Sequence, residues 1–239
     1  MSEGTMIGEQ IQKVRAEIMA ARARRTHVSK DAPVELIAVT KNHPVAAMQE
    51  AIDAGIMNIG ENRVQEALDK AETLDREVKW HLIGHLQTNK VKHAVRQFDL
   101  IHSVDSLRLA REIDKAAEKL GKVQNILVQV NLAREESKSG VYSEDLDELL
   151  AAIDGMDSVR LQGFMCIAPN YEDVEQCRPL FRAMYELYGT IKAAEPHKAD
   201  IRYLSMGMTH DYRIAVEEGA NLVRVGTAIF GARNYTLGV

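Results

Sequence analysis

Apolar positions along this chain follow two alternating rhythms. The first is helical. Ile7, Ile11, Val14, Ile18 and Ala21 are spaced four, three, four and three residues apart, which lines one face of a helix. Thr5 can cap its start, and Arg22, Arg24 and Arg25 suit the negative end of its dipole. The second rhythm is a short, β-branched apolar run at 34–40 (VELIAVT), bounded by Pro33 and Lys41, which reads as a buried strand. Pro44 then opens a helix that Gly55 stops.

The alternation repeats. Further strands are predicted at 56–60, 80–84, 99–104, 124–130, 159–164, 201–205 and 222–226, eight with the first. Helical patterns at 61–76, 88–97, 106–120, 143–154, 172–194 and 210–219 separate them. Strands that alternate with helices are parallel strands joined by crossovers. Eight of them favour a single-domain (β/α)8 TIM barrel, with an extra N-terminal helix, over an open sheet. The GxGxxG fingerprint of a doubly wound sheet is absent after the first strand. With no linker or low-complexity stretch, 1–239 reads as one domain.

Composition narrows the function classes. The chain has 239 residues, 46% of them hydrophobic and 27% charged, which is ordinary for a globular protein. A net charge of −5 argues against a nucleic-acid binder. Cys166 and Cys177 have no metal-ligand spacing and fit a reducing cytoplasm. Neither a signal peptide nor a membrane span is expected.

Barrel active sites form at the C-terminal ends of the strands. Lys41 follows a buried run, so its amine should sit at the mouth, where partial desolvation favours a neutral, nucleophilic amine. A surface lysine after a strand is the bland alternative. Barrels often bind phosphate through the loops after strands seven and eight. Here those loops read 205–209 (SMGMT) and Gly226-Thr227, rich in groups that favour an anion. Helix capping by Ser and Thr is the competing account. A lysine facing such a cup is more specific than either feature alone. His81, His85 and His93 lie on a strand, a loop and a helix, so no metal site is expected. Trp80 and Phe164 read as packing, Met165, Met206 and Met208 as pocket wall or core, and Asp211 as a helix cap.

The segments VTK (39–41), IGENRVQE (59–66), WHLIGHLQTNK (80–90), HSVD (102–105), QVN (129–131), SKSG (137–140), GFMCIAP (163–169), LSMGMTHD (204–211) and VRVGTAIFG (223–231) resemble the PLP homeostasis proteins, relatives of the N-terminal barrel of alanine racemase. The resemblance spans roughly 35–231. It implies pyridoxal 5′-phosphate (PLP) held as a Schiff base on Lys41. It implies phosphate contacts from Ser205, Gly207, Gly226 and Thr227, Arg224 near the pyridine nitrogen, and Asn62 near the cofactor. Arg63 and His85 depart from residues common at these positions and border the expected mouth.

The resemblance implies a PLP carrier acting in vitamin B6 homeostasis rather than an enzyme. PLP and PLP-dependent apo-enzymes are the expected partners, and the protein is expected to be a monomer or weak dimer. The alternative is a racemase acting on small amino acids. That chemistry needs a second base, which alanine racemases draw from a further C-terminal domain, and the chain reaches only Val239 after Gly226. A PLP-free Schiff-base lyase is a third possibility, with Glu61 or Asp105 as its acid/base.

Overall fold

The structure, a computed structural model, describes residues 5–135, 138–194 and 199–231. Its strands are β1 (Glu35–Val39), β2 (Asn58–Glu61), β3 (Lys79–Leu82), β4 (Leu100–Val104), β5 (Gln124–Gln129), β6 (Val159–Met165), β7 (Tyr203–Met208) and β8 (Leu222–Val225). They pair in parallel, each with the next, and β1 closes on β8 through Glu35–Leu222 to Ala38–Val225. The eight expected strands are therefore all present, in the expected closed order.

Around them lie α1 (Met6–Ala23), α2 (Val45–Asp53), α3 (Val64–Ala71), α4 (Val91–Gln97), α5 (Leu107–Lys119), α6 (Leu146–Asp154), α7 (Arg178–Ala193), α8 (Tyr212–Glu217) and α9 (Thr227–Phe230). Helix α1 is the extra N-terminal helix. Thr5 caps it by accepting the Gly8 N–H, and Ile11, Val14, Ile18 and Ala21 form its buried face. Beyond its end, Arg25 donates to the carbonyls of Ser29, Ala32, Val216 and Ala220, each at 2.9 Å. Those bonds satisfy a nearly buried guanidinium and tie α1 to the turn after α8.

The core has two layers, as a barrel requires. A large cluster fills the space between strands and helices. A small one, Ile37, Leu100, Leu127, Met165 and Leu222, fills part of the barrel interior. Among the described residues, no helix is long and apolar enough to cross a membrane.

The structure differs from expectation in two places that bear on function. Strand β7 runs to Met208 rather than stopping at 205, and its register against β8 shifts between Ser205 and Met208. Gly207 makes the shift feasible. Its φ is +95°, and a Cβ there would lie 2.7 Å from the Ala215 Cβ and 2.8 Å from the Tyr212 Cα. Helix α9, a single turn starting at Thr227, had no signal of its own in the apolar rhythm. Ser137 of the SKSG segment and the chain beyond Gly231 lie outside the described residues.

Candidate functional site at the barrel mouth

Lys41 follows β1 in a turn whose shape is set from outside the barrel. Thr40 is buried and donates its hydroxyl to Glu61 Oε1 at 2.5 Å. Lys70, on the packed face of α3, is 7% exposed and donates to the Thr40 carbonyl, to Glu61 and to Glu66, each at 2.7 Å. Glu66 also accepts the N–H of Asn42 at 2.5 Å. Asn42 has φ +61°, a left-handed conformation that few non-glycine residues adopt. The residues on both sides of Lys41 are thus bonded into one ionic cluster, buried at Lys70 and Glu61 and open to solvent at Asn42. Glu61 is fully buried, with Oε2 lacking a hydrogen-bond partner, and burial raises its carboxyl above the usual range despite Lys70 and Thr40.

Closure of the barrel brings β8 alongside this turn. The register sets Ala38 beside Val225, so Gly226 and Thr227 leave the barrel next to Thr40 and Lys41. A Cβ at Gly226 would lie 3.2 Å from the Val39 carbonyl, so only glycine lets the two chains approach this closely without adjustment. The Gly226 N–H donates to Thr209 Oγ1 at 3.3 Å, which joins the end of β7 to the start of α9. Asp211 occupies the N-cap position of α8, but its side chain makes no cap bond there. It reaches back to accept the Met208 N–H at 2.6 Å, and so braces the end of β7. Lys41, Thr209, Gly226 and Thr227 converge on one side of the mouth.

Inside the barrel a polar chain crosses from wall to wall. Arg224 is 2% exposed and donates to Ser205 Oγ at 2.5 Å and to the Cys166 carbonyl at 3.0 Å. Ser205 Oγ lies 2.9 Å from His102 Nδ1, and His102 Nε2 lies 3.0 Å from His81 Nδ1. His81 Nε2 lies 3.1 Å from Asn58 Oδ1, and Asn58 Nδ2 donates to Glu35 Oε2 at 3.2 Å. Burial drives both imidazoles to the neutral form. His81 is lowered to about 3, and His102 well below its ordinary value, where His81 and Arg224 add to the effect.

The expected site residues therefore fall into three settings. Lys41, Gly226 and Thr227 meet at the mouth. Ser205 and Arg224 lie deeper, with the Ser205 hydroxyl engaged between Arg224 and His102. Gly207 serves the close packing of α8 on β7. Asn62 lines a 470 Å³ pocket on the other side of the mouth, together with Arg63, Gly84, His85 and Lys90. A Cβ on Gly84 would come within 2.3 Å of the Asn62 carbonyl, so the loop after β3 presses directly on that segment. His85 is exposed and faces Ser139 and Asp105, whereas His93 is exposed on α4. Among the described residues, no group of His, Cys, Asp and Glu could hold a metal ion. Trp80 and Phe164 are core, as are Met165 and Met206, while Met208 is 39% exposed.

At the mouth of this closed barrel, then, a lysine at the end of the first strand stands beside a glycine-threonine turn at the end of the last. A family model described as "Alanine racemase, N-terminal domain" matches residues 17–234. The pyridoxal phosphate homeostasis protein of Aquifex aeolicus is 43% identical over 202 residues, covering 84% of this chain and 88% of the relative. That of Escherichia coli K12 is 39% identical over 235 residues, covering 96% and 98%. The structure of PipY from Synechococcus elongatus PCC7942 with PLP bound superposes with a TM-score of 0.81 at 37% identity, covering 94% of this chain and 100% of PipY. The chain belongs to the alanine racemase N-terminal domain family and, within it, to the pyridoxal phosphate homeostasis proteins.

Proposed function

We propose that this protein binds PLP as a Schiff base on Lys41 and serves as a carrier of the cofactor rather than turning over a substrate. One observation carries the reading: Lys41 stands beside Gly226 and Thr227 because β1 pairs with β8. The residues fit the group. Glycine at 226 lets the Gly226-Thr227 turn lie against Val39 at the end of β1, beside Lys41, where a phosphate next to the lysine would sit. Thr209, Gly207, Gly226 and Thr227 would hold that phosphate, with Ser205 beneath them fixing Arg224. Arg224 would face the pyridine nitrogen, and Asn62 would flank the ring. When bound, PLP supplies an electron sink for carbon acids attached to it. A guanidinium does not release its proton near neutral pH, so Arg224 would leave the ring nitrogen unprotonated and that sink weak.

The carrier reading is supported by relatives named homeostasis proteins, which match this chain over 88% and 98% of their own length. The likeness to the alanine racemase of Streptomyces lavendulae, at 22% identity, speaks to the fold alone. The proposed setting is the cytoplasm, consistent with two free, buried thiols, and the proposed state is a single-domain monomer or weak dimer that exchanges PLP with apo-enzymes.

Borohydride reduction of the PLP-loaded protein should fix a pyridoxyl group on the peptide containing Lys41, read by mass mapping. An adduct confined to another lysine refutes the assignment. In deuterated water with L- or D-alanine, the loaded protein should give no inversion. Rapid α-deuteration with inversion, lost in Lys41→Ala, would establish a racemase instead.

A further inference from the structure

The polar chain inside the barrel has a fixed direction. An arginine can only donate, and an ionised carboxylate can only accept. With both buried imidazoles neutral and the Asn58 amide donating to Glu35, each link from Arg224 to Glu35 has one consistent assignment. Arg224 donates to Ser205, and the Ser205 hydroxyl donates to His102 Nδ1. His102 Nε2–H donates to His81 Nδ1, His81 Nε2–H donates to Asn58 Oδ1, and Asn58 donates to Glu35. Both neutral histidines are then Nε2–H tautomers. Glu35 opens β1, at the N-terminal end of the barrel, while Arg224 lies near the C-terminal end of β8, so the chain spans the interior.

We propose that His102 and His81 are positioning residues of the cofactor pocket: they form the centre of a one-way hydrogen-bond chain that holds Ser205 and, through it, the Arg224 guanidinium against the ring of PLP. The proposal rests on the reading above, in which Arg224 faces the pyridine nitrogen. Two of the five N–H groups of Arg224 go to Ser205 Oγ and the Cys166 carbonyl, and these set the plane of its guanidinium. Ser205 can hold its part only while its own hydrogen is drawn away toward His102. A leucine at 102 leaves that hydroxyl free to rotate and Arg224 free to tilt. A glutamine can offer an acceptor to Ser205 and a donor to His81, preserving the direction of the chain.

The test has two arms. Nitrogen-15 NMR of the apo-protein should show His81 and His102 as neutral Nε2–H tautomers from pH 8 to pH 5. An Nδ1–H tautomer or a charged ring in that range overturns the chain whether or not PLP binds. In the second arm PLP is titrated by its absorption spectrum. His102→Leu should weaken binding about tenfold, the scale of losing one hydrogen bond to a charged group, and shift the visible band. His102→Gln should restore both. Should His102→Leu fail to fold, Ser205→Ala deletes a single oxygen and should weaken binding in the same direction. Folded variants with unchanged affinity and spectrum overturn the proposal while leaving the Lys41 reading intact. Wild-type protein that forms no adduct at Lys41 overturns both.

Discussion

Two buried polar assemblies brace the mouth of this barrel, and they solve the same problem in opposite ways. Outside the strands, beneath Lys41, Lys70 binds Glu61 and Glu66 in a charged cluster. Inside the strands, beneath Gly226, the link from Arg224 to Glu35 runs through neutral groups. Charges packed together bind strongly, but each depends on its neighbours, because an unpaired buried ion is costly. A chain of neutral dipoles depends instead on direction, and a lost link costs about 1–3 kcal/mol for the buried neutral partner left unsatisfied. The charged cluster should therefore dominate stability, and the neutral chain should dominate alignment.

Removing the cation should separate the two most clearly. Lys70→Met leaves Glu61, which is fully buried, facing an apolar side chain. It should cost about 3–5 kcal/mol, the usual range when one partner of a buried pair is removed. For a chain of this size that corresponds to a melting point lower by roughly 6–20 °C. Removing the anion as well, in Lys70→Met with Glu61→Leu, should recover most of the loss. Calorimetry of the two variants checks this. Equal destabilisation by both would mean that packing, not charge, holds the turn before Lys41.

The sequence showed one assembly poorly and the other hardly at all. The strands were legible because each is an apolar run with both faces buried, and Lys41 stood out as a polar residue at the end of such a run. Lys70 and Glu66 resemble an ordinary surface pair four residues apart. The missed signal was that Lys70 continues the buried stripe of Val64 and Ala67 on α3. His81 and His102 each sit within an apolar strand and read locally as core histidines. Their link to each other spans 21 residues, and the link from His102 to Ser205 spans 103, so only barrel closure brings them together. The extension of β7 to Met208 was hidden for a related reason: Met-Gly-Met reads as a loop until α8 is seen packed against the glycine.

Acid should move the two assemblies in opposite directions. His81 titrates near its ordinary value when unfolded and at about 3 when folded, so between those values the unfolded chain binds the extra proton. Its contribution to stability is whole above pH ~6.5 and declines by about 1.4 kcal/mol per pH unit below it. His102 acts in the same sense. Glu61 has the reverse sign, because its folded carboxyl holds a proton that the unfolded chain has already released. Its contribution is whole below pH ~4.5 and is lost as pH rises through the folded value. Urea melts between pH 4 and 7 should show a shallower acid decline in His102→Gln and a steeper one in Glu61→Gln. The same direction of change in both variants would contradict the division into a neutral chain and a charged cluster.

The smallest expected effect concerns backbone strain. Among the described residues, only Asn42 and Arg134 hold positive φ without being glycine, and Asn42 follows Lys41 directly. Its N–H is pinned by Glu66, so the charged cluster maintains a conformation that an alanine would resist by about 1–2 kcal/mol. Asn42→Gly removes the steric cost while keeping the N–H. It should stay within a few tenths of a kcal/mol of wild type, where Asn42→Ala should lose about 1 kcal/mol. The residues of the inner chain carry no such outlier, so an alanine at Asn58 should act through lost hydrogen bonds alone. If the turn at Asn42 aims Lys41, Asn42→Ala should also slow covalent capture of PLP, while Asn42→Gly retains the wild-type rate. Stopped-flow absorbance reads that difference. Equal rates in the two variants would mean that Lys41 finds its position without the left-handed turn, and that the cluster stabilises the barrel without aiming the amine.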